Sequence, residues 1–394
     1  MLKFIVDDTC KPFIYISRIT YDSTTNEYNG IDIYAPDPSQ IETFKRNLVS
    51  FCFPFQNSIP EFFGHCSNFM FSFGFTDSEK NLTFVFVSLN RNCTVAYSVV
   101  SEYYHPSLLF ELVQKVSDLY EKDTEKCMDI IHNLANAKLE RKKFDWYIDT
   151  LKNRLQLSNT SLMSPQNEIG KLYNFIFSKF SPYYILSLII ATLFEYKIVF
   201  MAIDQTMLGE CCFSTLGLIY PMQWTSAFIP LLSQNVSQAL EAPFPFMIGI
   251  PSTLASLVAD NTIDRYFVLN PDTHSGTLVG DDAFDPIICD LIDKTAVEMN
   301  EMLESYQHIL PVSKLQVAIR KFIINTLKTV YDVESDDPYV IYEKFKKANV
   351  NADGSLAYKL SQTQFMQAFF SQVFEEHKKI LQQAFWPGET FKNN

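Results

Sequence analysis

Glycine is scarce: 11 in 394 residues, none in G-x-G-x-x-G or G-x-x-x-x-G-K-[ST] spacing. Backbone cradles for dinucleotides and triphosphates need glycine at those points, so neither kind is legible. No G-x-S-x-G elbow is present to seat a hydrolase serine. The six histidines are scattered, without H-E-x-x-H or Cys/His zinc spacing. Each is read as a surface or satisfied core histidine, and neither metal nor cofactor is expected. The acidic run "DDAFD" from Asp281 could hold a divalent ion, but as a lone acidic loop it reads first as solvated.

Positive charge is also in deficit. Against 45 Asp and Glu stand 32 Lys and Arg, a net charge of −13, which argues against a phosphate backbone as partner. The eight cysteines are irregularly spaced and form no C-x-x-C, so free thiols buried in a reducing compartment are expected. Sustained apolar runs are missing. Residues 211–240 carry no charge, but Pro221 and Pro230 interrupt them, and Glu195 and Lys197 split residues 183–203. A spanning helix needs about 20 predominantly apolar residues, so no transmembrane segment is expected. The first residues show no apolar core of signal-peptide type.

What the chain does hold is bulk. It has 35 Phe and 20 Tyr, and 47% of its residues are apolar, enough for large aromatic cores. Strands are predicted at 13–19 and 31–34, joined by the polar "YDSTTNEYNG". "FMFSFGF", "LTFVFVSL" and "TVAYSVVS" follow at meander spacing. Pro106 then suits the first position of a helix whose face is Leu108, Leu109, Leu112, Val113, Val116, Leu119 and Tyr120. Residues 121–147 look charged and helical, and "LSNTSLMSPQNEIG" looks like a loop. The cluster Lys138, Arg141, Lys142 and Lys143 could touch anionic lipid, although a solvated helix face explains it first.

From residue 183 helices and short apolar strands alternate: "YYILSLIIATLFEY", "KIVFMAI", "TMLGECCFSTLGLIYP", "SAFIPLL", "FPFMIGI", "STLASLVAD" and "DRYFVLNP". That alternation predicts a largely parallel sheet with both faces covered. The tail is helical, and "SQTQ" at Ser361 has the form of a capping box opening its last helix. Pro243 and Pro245 fix the entry to the "FPFMIGI" strand, while Gly249 permits either a close backbone approach or a left-handed turn. The expected division is 1–121, a sheet with a helix; 122–170, a linker; 171–305, an α/β lobe; and 306–394, a helical module.

The central run from Leu193 to Leu254 resembles the DENN domain family, most like the connecdenn branch. Glu195, Ile198, Leu218, Tyr220, Pro221, Met222, Trp224, Ile229, Pro230, Ala242, Pro243, Pro245, Ile248, Gly249 and Ser252 carry the likeness. "VLNPDTHSGTL" downstream, and "FCFPF" and "SVVSEYYHPSLLFELVQKV" upstream, extend it, so that it covers about residues 48 to 382. Tyr196–Lys197 departs from a typical basic pair, which bears on partner choice. The resemblance implies an α/β fold: an N-terminal longin-like α+β lobe, then a Rossmann-like α/β lobe with a packed helical C-terminal tail. It further implies guanine-nucleotide exchange on a Rab-family small GTPase held between two lobes. A cytoplasmic location with recruitment to vesicle or endosomal membranes goes with it. A Rab-binding scaffold without exchange activity is the alternative; an enzyme with a site assembled from distant residues is a third reading. The GTPase-facing candidates are Ile203, Asp204, Gln205, Thr206 and Met207 at a strand's end, and Ser101, Glu102, Tyr103, Tyr104 and His105 on the first lobe. Glu195, Tyr220, Pro221, Trp224, Pro230, Pro243, Pro245 and Gly249 are expected to be structural.

Overall fold

A computed structural model describes residues 11–22, 24–25, 27–36, 48–49, 51–54, 68–76, 82–137, 139–142, 145–148, 165–232, 234–259, 266–279, 284–306 and 310–375. The first five strands are β1 (Tyr15–Asp22), β2 (Glu27–Tyr34), β3 (Asn68–Thr76), β4 (Leu82–Asn90) and β5 (Val95–Ser101). They form one antiparallel sheet in the order β2-β1-β5-β4-β3, with the expected meander at β3-β4-β5. The first hairpin is longer than its polar connection suggested. Tyr21 pairs with Tyr28 and their rings stack, so most of "YDSTTNEYNG" is strand. Cross-strand aromatic pairing supplies what composition alone disfavoured.

Helix α1 (Pro106–Leu119) starts at its proline and buries Leu108, Leu109, Leu112, Val113 and Val116. It lies on β4 and β5, with Phe110 edge-on to Phe86. Helix α2 (Thr124–Ala135) is capped by the Asp123 carboxylate, which accepts from the Lys126 N–H, and buries Cys127, Ile131 and Leu134. The helical pattern expected to run to Tyr147 stops there: β6 (Leu139–Lys142) and β7 (Asp145–Ile148) form an antiparallel hairpin. Arg141 and Lys142 therefore sit on a strand, and Lys138 and Lys143 lie outside the described residues. Helix α3 (Pro165–Lys179) begins inside the stretch expected to be loop.

The second sheet follows the predicted alternation. After α4 (Pro182–Leu193) come β8 (Lys197–Ala202), α5 (Thr206–Leu218), β9 (Ala227–Ile229), β10 (Phe246–Pro251), β11 (Tyr266–Asn270) and β12 (Ser275–Val279). Their order is β12-β11-β8-β10-β9; β12 is antiparallel and the other pairings are parallel. Alternation along β8 and β10 explains why their sequences read as continuous apolar runs. Ile198, Phe200 and Met247 enter the main core, while Val199, Phe246, Ile248 and Ile250 enter a second core on the opposite face.

Besides the chain that connects them, the two lobes are joined along a seam. β3 abuts β9 and α5, and the main core runs without a break from Phe13 through both sheets into the tail. Phe213 of α5 sits at the centre, its ring 5.9 Å from Phe84, 5.2 Å from Tyr104 and 5.4 Å from Phe228. A Cβ on Gly209 would stand 2.9 Å from the Ser72 carbonyl oxygen, so α5 passes that close to β3.

The tail consists of α6 (Pro286–Glu304), α7 (Val312–Tyr331), α8 (Pro338–Val350), α9 (Leu356–Ser361) and α10 (Gln364–Phe370). Ser361 does not open the last helix. It ends α9, its hydroxyl donating to the Tyr358 carbonyl, and Thr363 caps α10 by accepting from the Met366 N–H. Among the described residues no single helix is long and apolar enough to cross a membrane.

Candidate functional site

The carboxyl ends of β8, β10 and β11 lie side by side, because Pro251 pairs with Ala202 and Leu269 with Phe200. This is the edge of an open α/β sheet where ligands and partners are received. Ile203 projects from it with 58% of its surface exposed. Its backbone is pinned, since its N–H donates to Asp272 Oδ2 at 2.6 Å. Asp272 is itself placed by Asn270, whose Oδ1 accepts from the Asp272 and Thr273 N–H groups.

Asp204 folds the chain into α5: its Oδ1 accepts from the Thr206 N–H at 3.0 Å and from the Thr206 hydroxyl at 2.6 Å. Thr206 and Met207 are half-buried at the helix start, and Gln205 is buried. The expected cluster thus divides into surface (Ile203, Asp204, Thr206, Met207) and interior (Gln205).

The first-lobe segment divides likewise. Ser101 is buried, its hydroxyl donating to the Pro12 carbonyl and accepting from the Tyr103 N–H. Tyr104 is buried between Phe84 and Phe213. His105 is buried next to the start of α1, and burial lowers its imidazole to about 3, so it stays neutral at physiological pH. Glu102 is exposed and Tyr103 half-exposed. Ser101, Tyr104, His105 and Gln205 therefore offer no side chain to a partner in this arrangement and act as packing behind those that do. The two segments meet on α5: residues 203–207 lead into its first turn, and Tyr104 packs on Phe213 further along.

One residue in this neighbourhood carried no sequence signal. Glu168 of α3 is buried, with Oε1 accepting from the Ser107 hydroxyl at 2.9 Å and from Lys171 Nζ at 3.3 Å. Burial raises its carboxyl above the ordinary glutamate range, an effect the Lys171 charge opposes. It ties α3 to the first turn of α1. An acid in a polar stretch gives no hint of a partner 61 residues away.

Several of the residues expected to be structural make packing or capping contacts. Glu195, at φ 52°, turns back so that Oε1 accepts from the Phe365 N–H at 2.8 Å, placing a carboxylate at the N-terminus of α10. Trp224 donates from Nε1 to the Ala227 carbonyl and packs its ring on Phe365, while Gln372 donates to Gln223. Tyr220–Pro221 is a cis peptide bond. Of the two roles open to Gly249, close approach holds and the left-handed turn does not. A Cβ there would stand 2.1 Å from the Pro230 carbonyl oxygen and 2.8 Å from Leu208 Cβ, and its φ is not positive. Pro245 immediately precedes β10, and Pro243 stands two residues before that proline, exposed.

Among the described residues no group of three or more His, Cys, Asp or Glu is placed to hold a metal. Asp281 and Asp282 lie outside the described residues, and Asp285 accepts from the Ile287 N–H as the cap of α6. The six described cysteines are free, and burial pushes Cys93 and Cys127 up to about 11, which makes them poor nucleophiles.

The DENN (AEX-3) domain family model matches residues 92–274, from the β4–β5 turn to the β11–β12 turn. That span holds both candidate segments and α5. DENN domain-containing protein 1B of Mus musculus is 22% identical over 287 residues, covering 67% of this chain and 34% of that protein. DENN domain-containing protein 1A of Xenopus laevis is 23% identical over 280 residues, 70% of this chain and 26% of the other. Elicitor of plant defense protein 1 of Fusarium odoratissimum is 41% identical over a shorter 66 residues, 16% of this chain and 7% of that protein. This chain spans about a third or less of the length of these curated relatives.

Proposed function

We propose, from the premise that this chain carries a DENN domain, that it is a guanine-nucleotide exchange factor for a Rab-family small GTPase. It acts in vesicle trafficking, recruited from the cytoplasm to a vesicle or endosomal membrane. The observation that carries this reading is a pair of surface-reaching segments, with Ile203, Asp204, Thr206 and Met207 on one and Glu102 and Tyr103 on the other, both tied to one buried helix that locks two sheets together. Such a surface is preorganised for a protein partner and holds no reacting group.

Exchange needs no covalent step. The factor binds the GTPase with its switch region displaced, nucleotide then binds more weakly, and by linkage incoming nucleotide ejects the factor. A ten-thousandfold faster release requires about 5.5 kcal/mol of preference for the opened state. An interface of roughly 1,200–2,000 Å² supplies that without a reactive side chain. The fused seam sets how the preference is expressed. A rigid platform does not close around its partner, so the GTPase must deform to fit it and the strain falls on the nucleotide site.

The test is release of fluorescent GDP from a panel of Rab proteins in the presence of the purified chain. Acceleration with at least one Rab is expected. Binding without release would favour a scaffold, and neither with any Rab would end the reading. Ile203→Asp combined with Glu102→Lys is expected to slow exchange about tenfold or more with the melting temperature unchanged. Ile203 is a cleaner position than Asp204, whose side chain also caps α5.

A further inference from the structure

The tail contains a trough that the exchange reading does not use and that lies beyond the matched residues 92–274. It runs between α6 and α7, with a volume of about 600 Å³. Leu291 and Met302 of α6 and Phe322 of α7 form its apolar floor, and Val317, 58% exposed, stands on its lip. From Leu291 to Met302 the trough is about 16 Å long at the helical rise of 1.5 Å per residue, the length of three turns.

Its two lips differ in charge. On the α7 side Lys314 and Lys321 are exposed and seven residues apart, two turns along one edge. Helix α7 carries Lys314, Arg320, Lys321 and Lys328 and no acidic residue, in a chain whose net charge is −13. On the α6 side Lys294 is paired with Asp290 at 2.6 Å, which leaves Glu298 to set the sign of that lip.

We propose that this trough docks an amphipathic α-helix of a partner protein, with its apolar face down and an acidic flank along α7. Three features select that occupant. An open trough with Val317 exposed buries one face of its guest, as helix-in-groove recognition does, whereas small-molecule sites enclose most of the ligand. The length suits three turns of helix. Lysines two turns apart match carboxylates at positions i and i+7 of a helix, and Glu298 on the opposite lip disfavours acid on both flanks. An anionic membrane fits poorly for the same reason, because α6 would present Asp290, Asp293, Glu298, Glu301 and Glu304 near it.

Fluorescence anisotropy with two labelled synthetic peptides tests the proposal. Both carry the same leucine stripe over about four turns; one has glutamates along a single flank, the other lysines at those positions. The glutamate peptide is expected to bind the purified chain about tenfold tighter or more, and Lys314→Glu with Lys321→Glu to reverse the preference. Both lysines are exposed, so this variant is expected to fold; Val317→Asn, which removes apolar surface without adding charge, is a second variant expected to weaken both peptides alike. Equal binding of the two peptides, binding of neither, or a preference unchanged in the double variant would overturn the proposal. So would displacement of the bound peptide by oleate or by phosphatidylserine vesicles at lower concentration than unlabelled peptide, which would assign the trough to an anionic amphiphile. Self-association of the chain that the double variant abolishes would assign it to a second copy instead, and also overturn it.

Discussion

The two sheets have five strands each and opposite tolerances. In the first, β2 is an edge strand with most of its residues exposed, and a Cβ added to Gly30 would meet nothing within 4 Å. In the second, every residue of β10 is buried, and a Cβ added to Gly249 would run into the backbone of Pro230. The difference follows from connection. An antiparallel hairpin can leave one strand in water, whereas parallel strands are joined by helices that cover both faces. Surface freedom therefore lies at the far edge of the first sheet, and constraint lies where the second sheet meets α5 and carries the candidate site.

The strongest way to break this contrast is to put the same side chain on both glycines. Gly249→Val is expected to cost about 4 kcal/mol or more, because the obstacle is backbone that cannot rotate away. Gly30→Val is expected to stay within about 0.5 kcal/mol of wild type, or to stabilise slightly, since valine suits an exposed strand. Urea denaturation of both variants checks the pair, and comparable losses would dissolve the distinction.

The seam comes next. Phe213→Ala removes the ring shared by Phe84, Tyr104 and Phe228, and is expected to cost about 3–5 kcal/mol. If the seam makes the sheets one unit, the transition should also separate into two when the near-ultraviolet signal and hydrogen exchange of each sheet are followed.

A smaller effect is tied to acid. His105 has an imidazole lowered to about 3, so the folded state prefers it neutral. Its contribution is fully present above the ordinary value of about 6.5 and is lost as pH falls from there towards about 3. Between pH 7.5 and 4.5 the loss amounts to roughly 3 kcal/mol. His105→Gln is expected to flatten that limb of the urea midpoint against pH, whatever it does at neutral pH. The smallest effect in the series is Glu195→Gln, which weakens the charge at the start of α10 at a cost of about 1 kcal/mol. Amide exchange should rise over residues 364–370 and stay unchanged in β1–β5.

Much of this fold was legible because its periods are strong. β4 and β5 announce themselves by β-branched and aromatic runs, α1 by Pro106 and its apolar face, and the second sheet by alternation with helices. Errors gathered in short polar segments, where a pairing or a competing cap a few residues away overrides composition. The Tyr21–Tyr28 stack extends a hairpin through residues that look like loop, and Thr363 rather than Ser361 caps α10 because α9 claims Ser361 first. The candidate site was half legible. A strand end followed by a polar residue and a helix marks Ile203–Met207 as a junction, but nothing in "SEYYH" separates exposed Glu102 from buried Tyr104 and His105.

Local sequence determined most of the elements, their order and the parallel character of the second sheet, since periodicity, proline and charge act over a few residues and need no knowledge of the rest. Tertiary structure decided that Phe213 joins two sheets, that Glu168 reaches Ser107, that Glu195 reaches Phe365, and that the lips of the α6–α7 trough carry unlike charge. Those pairings span tens to well over a hundred residues, and whether a polar or aromatic side chain ends inside or outside depends on what arrives to pack against it.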